Sequence, residues 1–167
     1  NGNGAATVVN NAAIDFGTSN VRGALSATAS AGTITQNGGA LTVAGTSAFT
    51  TSTNDQAITL GDTSNALTGA VAFTTGGTTG NVTIDNGTTA LDLAASTISG
   101  TLTATGGASA GIVDSGNVAV AGNVTLTTDA GNGVINMGTL QQSAGDLLLV
   151  TNGNGAATVV NNVGIDF

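Results

Sequence analysis

Nine aspartates, one arginine and many serine and threonine hydroxyls are nearly all the reactive chemistry this 167-residue chain carries. It has no His, Cys, Lys, Glu, Tyr, Trp or Pro. A serine nucleophile here would lack an imidazole base, so a Ser-His-Asp hydrolase is excluded. Paired carboxylates are the remaining catalytic option, because two of them flanking a glycosidic bond can divide the acid and base roles. By spacing, Asp55 with Asp62 is the first such pair and Asp85 with Asp92 the next. Each of these aspartates also reads as a solvated turn or outward strand residue, and that reading is adopted. Metal chemistry is equally thin. Asp62 in Gly61-Asp62-Thr63-Ser64-Asn65, and Asp129 near Asn132, offer oxygen ligands of the kind a weak Ca²⁺ site uses. No cluster brings three carboxylates, and the Gly-Gly-x-Gly-x-Asp pattern of calcium solenoids is missing. Gly76-Gly77 and Gly106-Gly107 are not phosphate loops, since no Lys and no helix follow, and they read as loop tips. Thr33-Ile34-Thr35, Thr101-Leu102-Thr103 and Thr125-Leu126-Thr127 are Thr-x-Thr strands of the kind that can line a flat ice-binding face. Such a face needs the motif in line on nearly every coil, and the other strands carry one Thr or none. No catalytic, cofactor or metal residue is therefore assigned, and the chain is read as a non-enzyme.

The elements that carry these residues are short. Leu41-Thr42-Val43, Ile58-Thr59-Leu60, Val82-Thr83-Ile84, Leu91-Asp92-Leu93 and Val118-Ala119-Val120 each alternate apolar, other, apolar. That period predicts strands of three to five residues with one buried face. Clusters of Gly, Asn, Asp, Ser and Thr separate them and supply turns. No window keeps a helical period, so no helices are expected.

A pattern of apolar, any, Gly, small, apolar recurs around Gly23, Gly45, Gly69, Gly100 and Gly122, with the step from Gly69 to Gly100 longer than the others. The steps predict a repeating unit of roughly 22–26 residues with tolerated insertions. These glycines are expected at sharp bends where a Cβ would clash. Asn81, Asn117 and Asn123, each just before a strand, are expected to occupy corners and to stack as amide ladders. Short strands and tight corners at this period point to a β-solenoid, in which each coil lies on the one below in parallel register. Inward positions would stack as Val, Ile, Leu and Phe, while residues such as Asp15 and Asp92 face water.

A longer period encloses this one. NGNGAATVVNNAAIDF (Asn1 to Phe16) returns as NGNGAATVVNNVGIDF (Asn152 to Phe167), 151 residues later, with fourteen of sixteen positions identical. Ala12 and Ala13 are replaced by Val163 and Gly164. The organisation read from this is one full tandem β-solenoid repeat at 1–151 and the start of the next at 152–167, continuous with the first. Carrying Gly23 forward by the long period gives position 174, and the gap from Gly122 has room for two coils.

Composition bounds the partners. Charged residues are 6% of the chain and the net charge is −8. A basic surface for nucleic acid or for anionic membranes is absent from this sequence. The thin acidity gives solubility and mild self-repulsion, screened beyond about 8 Å at physiological salt. Hydrophobic content of 40% excludes the sparse, highly charged composition of disordered chains. No run of apolar residues is long enough to span a membrane, so none is expected to. The absence of a start Met and signal peptide fits a fragment of a longer chain.

Ile34-Thr35-Gln36-Asn37-Gly38, Leu41-Thr42-Val43-Ala44-Gly45-Thr46 and Asn65-Ala66-Leu67-Thr68-Gly69-Ala70-Val71 resemble the repeats of filamentous-haemagglutinin-like bacterial adhesins, exported by two-partner secretion. The resemblance extends from Val8 to Val150. It implies a right-handed parallel β-helix, an extracellular or cell-surface fibre, and a role in attachment or aggregation. The expectation from residues and resemblance together is an all-β, right-handed parallel β-helix of about seven coils. It would serve as a rod, stalk or fibre segment of a large secreted filament or adhesin, with other copies of itself as partner. Contacts with cells or glycans would be made by regions outside this chain. The competing expectation is a carbohydrate-binding or carbohydrate-cleaving β-helix of the tail-spike kind, against which the lack of Trp and Tyr argues.

Overall fold

A chain whose apolar residues alternate in bursts of three can bury one face of each burst only against others of the same kind. The structure, a computed structural model that describes residues 3–129 and 131–164, shows how this is met. Asn1, Gly2, Ala130 and the closing Ile165, Asp166 and Phe167 lie outside the described residues. The described residues are all β and turn, with no helix.

The strands follow one another around coils. The first coil holds β1 (Ala6–Asn10), β2 (Ile14–Phe16) and β3 (Ser19–Val21). The second holds β4 (Leu25–Ala29), β5 (Ile34–Gln36) and β6 (Leu41–Val43), and the third β7 (Ser47–Asn54), β8 (Ile58–Leu60) and β9 (Ala66–Leu67). Then come β10 (Val71–Gly76), β11 (Val82–Asp85) and β12 (Leu91–Leu93), followed by β13 (Ser96–Ile98), β14 (Leu102–Gly106) and β15 (Ile112–Asp114). The chain continues through β16 (Val118–Val120), β17 (Val124–Thr128), β18 (Ile135–Gln142), β19 (Leu147–Val150) and β20 (Ala157–Asn161).

Every strand pairs in parallel with one from the coil before or after it, giving sheets of ten, seven and three strands. The seven-stranded sheet takes one strand from each turn, in the order β19-β17-β14-β11-β8-β5-β2, so the molecule is a β-solenoid of about seven turns. Its inward column reads Ile14, Ile34, Ile58, Val82, Leu102, Val124, Leu147, each in register with the next. The steps from Ile14 to Ile34 and from Val82 to Leu102 are the shortest and fall just below the expected coil length, while the others lie within it. All seven side chains are buried, and each is worth roughly 1.5–3 kcal/mol of removal from water. On the ten-stranded sheet the core is thickened by Phe49, whose ring stacks on Phe73 at 5.8 Å and meets Phe16 edge-on at 6.2 Å.

The glycines explain how coils come so close. A Cβ on Gly45 would stand 2.6 Å from the Ala24 nitrogen, and one on Gly69 2.5 Å from the Gly45 carbonyl oxygen. Gly23, Gly45, Gly69, Gly100 and Gly122 all lack positive φ, so close approach is what demands glycine there. The five glycines stand at two corners, and the long step between them is not the tolerated insertion that was expected. Gly23, Gly45 and Gly69 precede β4, β7 and β10 of the ten-stranded sheet, whereas Gly100 and Gly122 precede β14 and β17 of the seven-stranded one. Backbone hydrogen bonds run within each stack, Gly45 to Gly23 at 3.0 Å and Gly122 to Gly100 at 2.9 Å. The long step from Gly69 to Gly100 is therefore a change of corner, not an insertion into a coil.

Candidate functional site: the contact between coils

Strands of three residues leave corners where the backbone ladder is interrupted, and the N–H groups there need another acceptor. Side chains of Asp and Asn supply it, each reaching from one coil to the next. Asp55 Oδ1 accepts the N–H groups of Thr78 at 2.7 Å and Thr79 at 2.8 Å, and the Thr79 hydroxyl at 3.1 Å. Asp114 holds Gly138 and Thr139 in the same way, each N–H at 2.7 Å. Asn81 accepts from Thr101, Asn123 from Asp146 and Asn132 from Asn154. The Asp55 carboxyl is held below its ordinary value of 3.8, first by the Thr78 N–H, then by the Thr79 N–H and hydroxyl. Charge-assisted bonds of this kind are the stronger class of hydrogen bond.

This arrangement corrects the amide ladder. Asn81 and Asn123 cap backbone N–H groups of the next coil instead of stacking on each other, and Asn117 contributes its carbonyl to the Ser96 N–H. A true amide pair lies elsewhere. Gln36 Nε2 donates to Asn65 Oδ1 at 2.6 Å, and Asn65 Nδ2 returns a bond to Gln36 Oε1 at 3.0 Å. Asn65 is buried, and its Oδ1 also accepts the Leu41 N–H. Sequence reasoning missed Gln36, Asn65, Asn86 and Asp114. An amide at a strand end next to Gly, as in Asn86-Gly87, is the one signal that marks any of them.

The candidate carboxylate pairs do not assemble. Asp55 and Asp62 stand at opposite ends of β8, at two different corners. Asp55 caps the next coil, while Asp62 closes its own turn by accepting the Ser64 N–H at 2.8 Å. Asp85 accepts the Gly87 N–H at 2.8 Å, and Asp92 lies mid-strand on the outer side of β12, half-buried, with Oδ1 unpartnered. Asp129 and Asn132 share a loop, but Asp129 Oδ1 accepts the Gly131 N–H and Asn132 Oδ1 the Asn154 N–H. Among the described residues no three His, Cys, Asp or Glu side chains come together as metal ligands would. Gly106 and Gly107, expected at a loop tip, are buried, and a Cβ on Gly107 would strike the coil beneath at Gly87 and Thr88.

The threonines are more ordered than their motifs suggest. Thr35, Thr59, Thr83, Thr103 and Thr125 form one outward column on the seven-stranded sheet, in register over five coils. A second column, Thr28, Thr50, Thr74 and Thr97, runs up the ten-stranded sheet. Cross-strand Thr pairs stabilise a sheet by a few tenths to about 1 kcal/mol each, and columns on two separate faces fit that structural role. A neighbouring groove of about 310 Å³ is lined by small residues, among them Ala6, Ser26, Ala48 and Ala72.

A half-period hides within the long repeat. Ser19-Asn20-Val21-Arg22-Gly23-Ala24-Leu25-Ser26-Ala27-Thr28 matches Ser96-Thr97-Ile98-Ser99-Gly100-Thr101-Leu102-Thr103-Ala104-Thr105, about half a long period further on. By this correspondence β1, β4 and β7 of the ten-stranded sheet match β11, β14 and β17 of the seven-stranded sheet. The second half returns β20 to the ten-stranded sheet. One half-period thus carries the pattern to another face of the coil, which is why the glycines form two stacks.

Fold and repeat together define a tandem-repeat β-solenoid protein. Its coils are joined by Asx caps, glycine corners and apolar columns. The chain belongs to the family described as Repeats of unknown function (DUF5649), whose model matches it twice, at residues 3–74 and 79–147. Those two stretches are the two half-periods. No curated protein and no solved structure matches the chain.

Proposed function

We propose that the chain is a mechanical, non-catalytic segment of a large extracellular bacterial filament or adhesin, serving as a rod, stalk or fibre that grows by stacking of β-coils. The observation that carries this reading is β20. One long period after β1, the sequence ATVVN is again a strand of the ten-stranded sheet, laid in parallel on β18. A unit whose first strand recurs on the same sheet one period later has a geometry that can be repeated, and stability in such arrays comes from nearest-neighbour contacts. The corner chemistry supports the same reading, because the Asx oxygens hold coils together and, among the described residues, the candidate carboxylate pairs do not converge. A carbohydrate-binding or carbohydrate-cleaving role stands second, since the groove beside Ala48 and Ala72 offers small side chains and no specific polar cluster.

The test is to label intact, unpermeabilised cells that make the protein with an antibody to the folded chain. Label outside the envelope, standing off from it in strands, is expected. Label reached only after permeabilisation would overturn the extracellular assignment.

A further inference from the structure

Asparagine followed by glycine is the pair most prone to rearrange without an enzyme, because glycine offers a backbone nitrogen that no side chain crowds. Outside the repeated sixteen-residue segment, three such pairs occur: Asn37-Gly38, Asn86-Gly87 and Asn132-Gly133. They share one chemistry and differ in what holds them.

Asn86 is fully buried, its Oδ1 accepting the Leu67 N–H and its Nδ2 donating to the Leu67 and Ala90 carbonyls. The Gly87 N–H, which carries the nitrogen that would attack, donates to Asp85 Oδ1 at 2.8 Å. Asn132 Oδ1 accepts the Asn154 N–H at 2.9 Å. Gly133 is buried, and a Cβ on it would stand 2.8 Å from the Ala108 carbonyl oxygen. Asn37 and Gly38, by contrast, are both exposed in the turn between β5 and β6. The Asn37 N–H donates to the Phe16 carbonyl at 3.0 Å, but among the described residues no hydrogen bond holds its side chain or the Gly38 N–H. Gly38 has a φ of +91° and open space where a Cβ would stand.

The ends of this turn are not free. Gln36 Nε2 donates to the Gly39 carbonyl at 2.7 Å and to Asn65 Oδ1 at 2.6 Å. The same Asn65 oxygen accepts the Leu41 N–H at 2.8 Å. An unheld reactive pair thus lies between two anchors, Gln36 and Leu41, that share one buried side chain.

We propose that Asn37-Gly38 is a spontaneous modification site at which the chain ages to isoaspartate, and that the change loosens the Gln36–Asn65 amide pair. The deprotonated Gly38 nitrogen attacks Asn37 Cγ, so that a C–N bond forms. The Cγ–Nδ2 bond then breaks, and ammonia leaves with a proton from solvent. Water opens the cyclic imide in one of two ways. Addition at Cγ gives aspartate in the original backbone, while addition at the backbone carbonyl carbon gives isoaspartate. Both products carry a carboxylate where the amide was. Only isoaspartate lengthens the backbone, by one methylene, between anchors that Asn65 holds together.

The experiment incubates the full chain at mildly alkaline pH, folded and in denaturant. Each asparagine is followed by mass spectrometry with electron-transfer fragmentation, which separates aspartate from isoaspartate. In the folded chain Asn37 is expected to react faster than Asn86 or Asn132 by on the order of tenfold or more, because a protected site must first open locally. In denaturant the three rates should converge. The aged chain is then compared in urea with an Asn37→Asp chain aged beside it, which adds the charge without lengthening the backbone. The aged unmodified chain should unfold at the lower urea concentration. Asn86 or Asn132 reacting as fast as Asn37 in the folded chain, or an order of rates that persists in denaturant, would overturn the site. An aged chain that unfolds together with Asn37→Asp would overturn its coupling to the amide pair.

Discussion

Asn86 meets Leu67 as a residue of a neighbouring strand would: its Oδ1 accepts the Leu67 N–H at 2.8 Å, and its Nδ2 donates to the Leu67 carbonyl at 3.0 Å. The three-stranded sheet ends at β9, and this one side chain stands in for the fourth strand. A second bond from Nδ2 to the Ala90 carbonyl, at 2.8 Å, ties the substitute to its own loop. Asn86 is fully buried, so water cannot replace it.

Asn86→Ala is therefore expected to strand two buried backbone groups and to lower stability by roughly 2–4 kcal/mol. Asn86→Asp, which keeps the acceptor but loses the donors and buries a charge, should be no better. Urea unfolding of the three proteins checks this. A loss below about 0.5 kcal/mol for the alanine variant would contradict the strand-substitute role, being the size of an ordinary surface change.

Asp55 gives a pH-dependent prediction. Its carboxyl is held below the ordinary 3.8 by the Thr78 and Thr79 N–H groups of the next coil. A depressed folded-state value means that the stabilisation is fully present above 3.8 and is lost as pH falls through the folded value. The unmodified chain should thus exceed Asp55→Asn in denaturant midpoint near neutral pH, with the gap closing in acid below that range. A gap that is constant with pH would show that the charge is not what holds the corner.

Ser47 interrupts an inward column between Leu25 and Val71, and its buried hydroxyl has no hydrogen-bond partner. Ser47→Ala removes the unpaired oxygen without adding volume. It is expected to raise stability by about 1 kcal/mol, the lower end of the cost of an unsatisfied buried hydroxyl. A destabilised variant would mean that the hydroxyl is paired in solution.

Phe49 sits between Phe16 and Phe73, and both it and Phe73 are fully buried. Phe49→Ala should cost about 3–5 kcal/mol and Phe49→Leu distinctly less, because leucine refills part of the cavity. Equal losses would indicate that ring stacking, not volume, sets the cost.

The outline of the fold was legible because alternation is a local property. Ile58-Thr59-Leu60 and Leu91-Asp92-Leu93 have inward ends and an outward centre wherever they sit, and the structure places them so. Partner choice across coils was not legible in the same way. Coils of unequal length leave the vertical alignment to the corners, so neither the Thr35 to Thr125 column nor the switch between Gly69 and Gly100 follows from spacing. A small alphabet also hides the half-period, since Ser19-Asn20-Val21 and Ser96-Thr97-Ile98 share one identical residue. Asn86 escaped because nothing in a sequence separates an amide that mimics a strand from one in a solvated turn. The described aspartates lie at turns or on outer faces as expected, except that Asp92 is half-buried where it was expected to face water, and their partners across coils depended on the same alignment.

The central claim is that one long period, Asn1 to Thr151, makes about seven coils of a rod that continues from period to period. The most direct measurement is cryo-electron microscopy of a chain containing several periods, with the axial spacings read from the rods. The account predicts a layer line at about 4.8 Å together with an axial repeat of about 33 Å per period. Globular particles, or rods in which each added period contributes a length unrelated to seven coils, would contradict it.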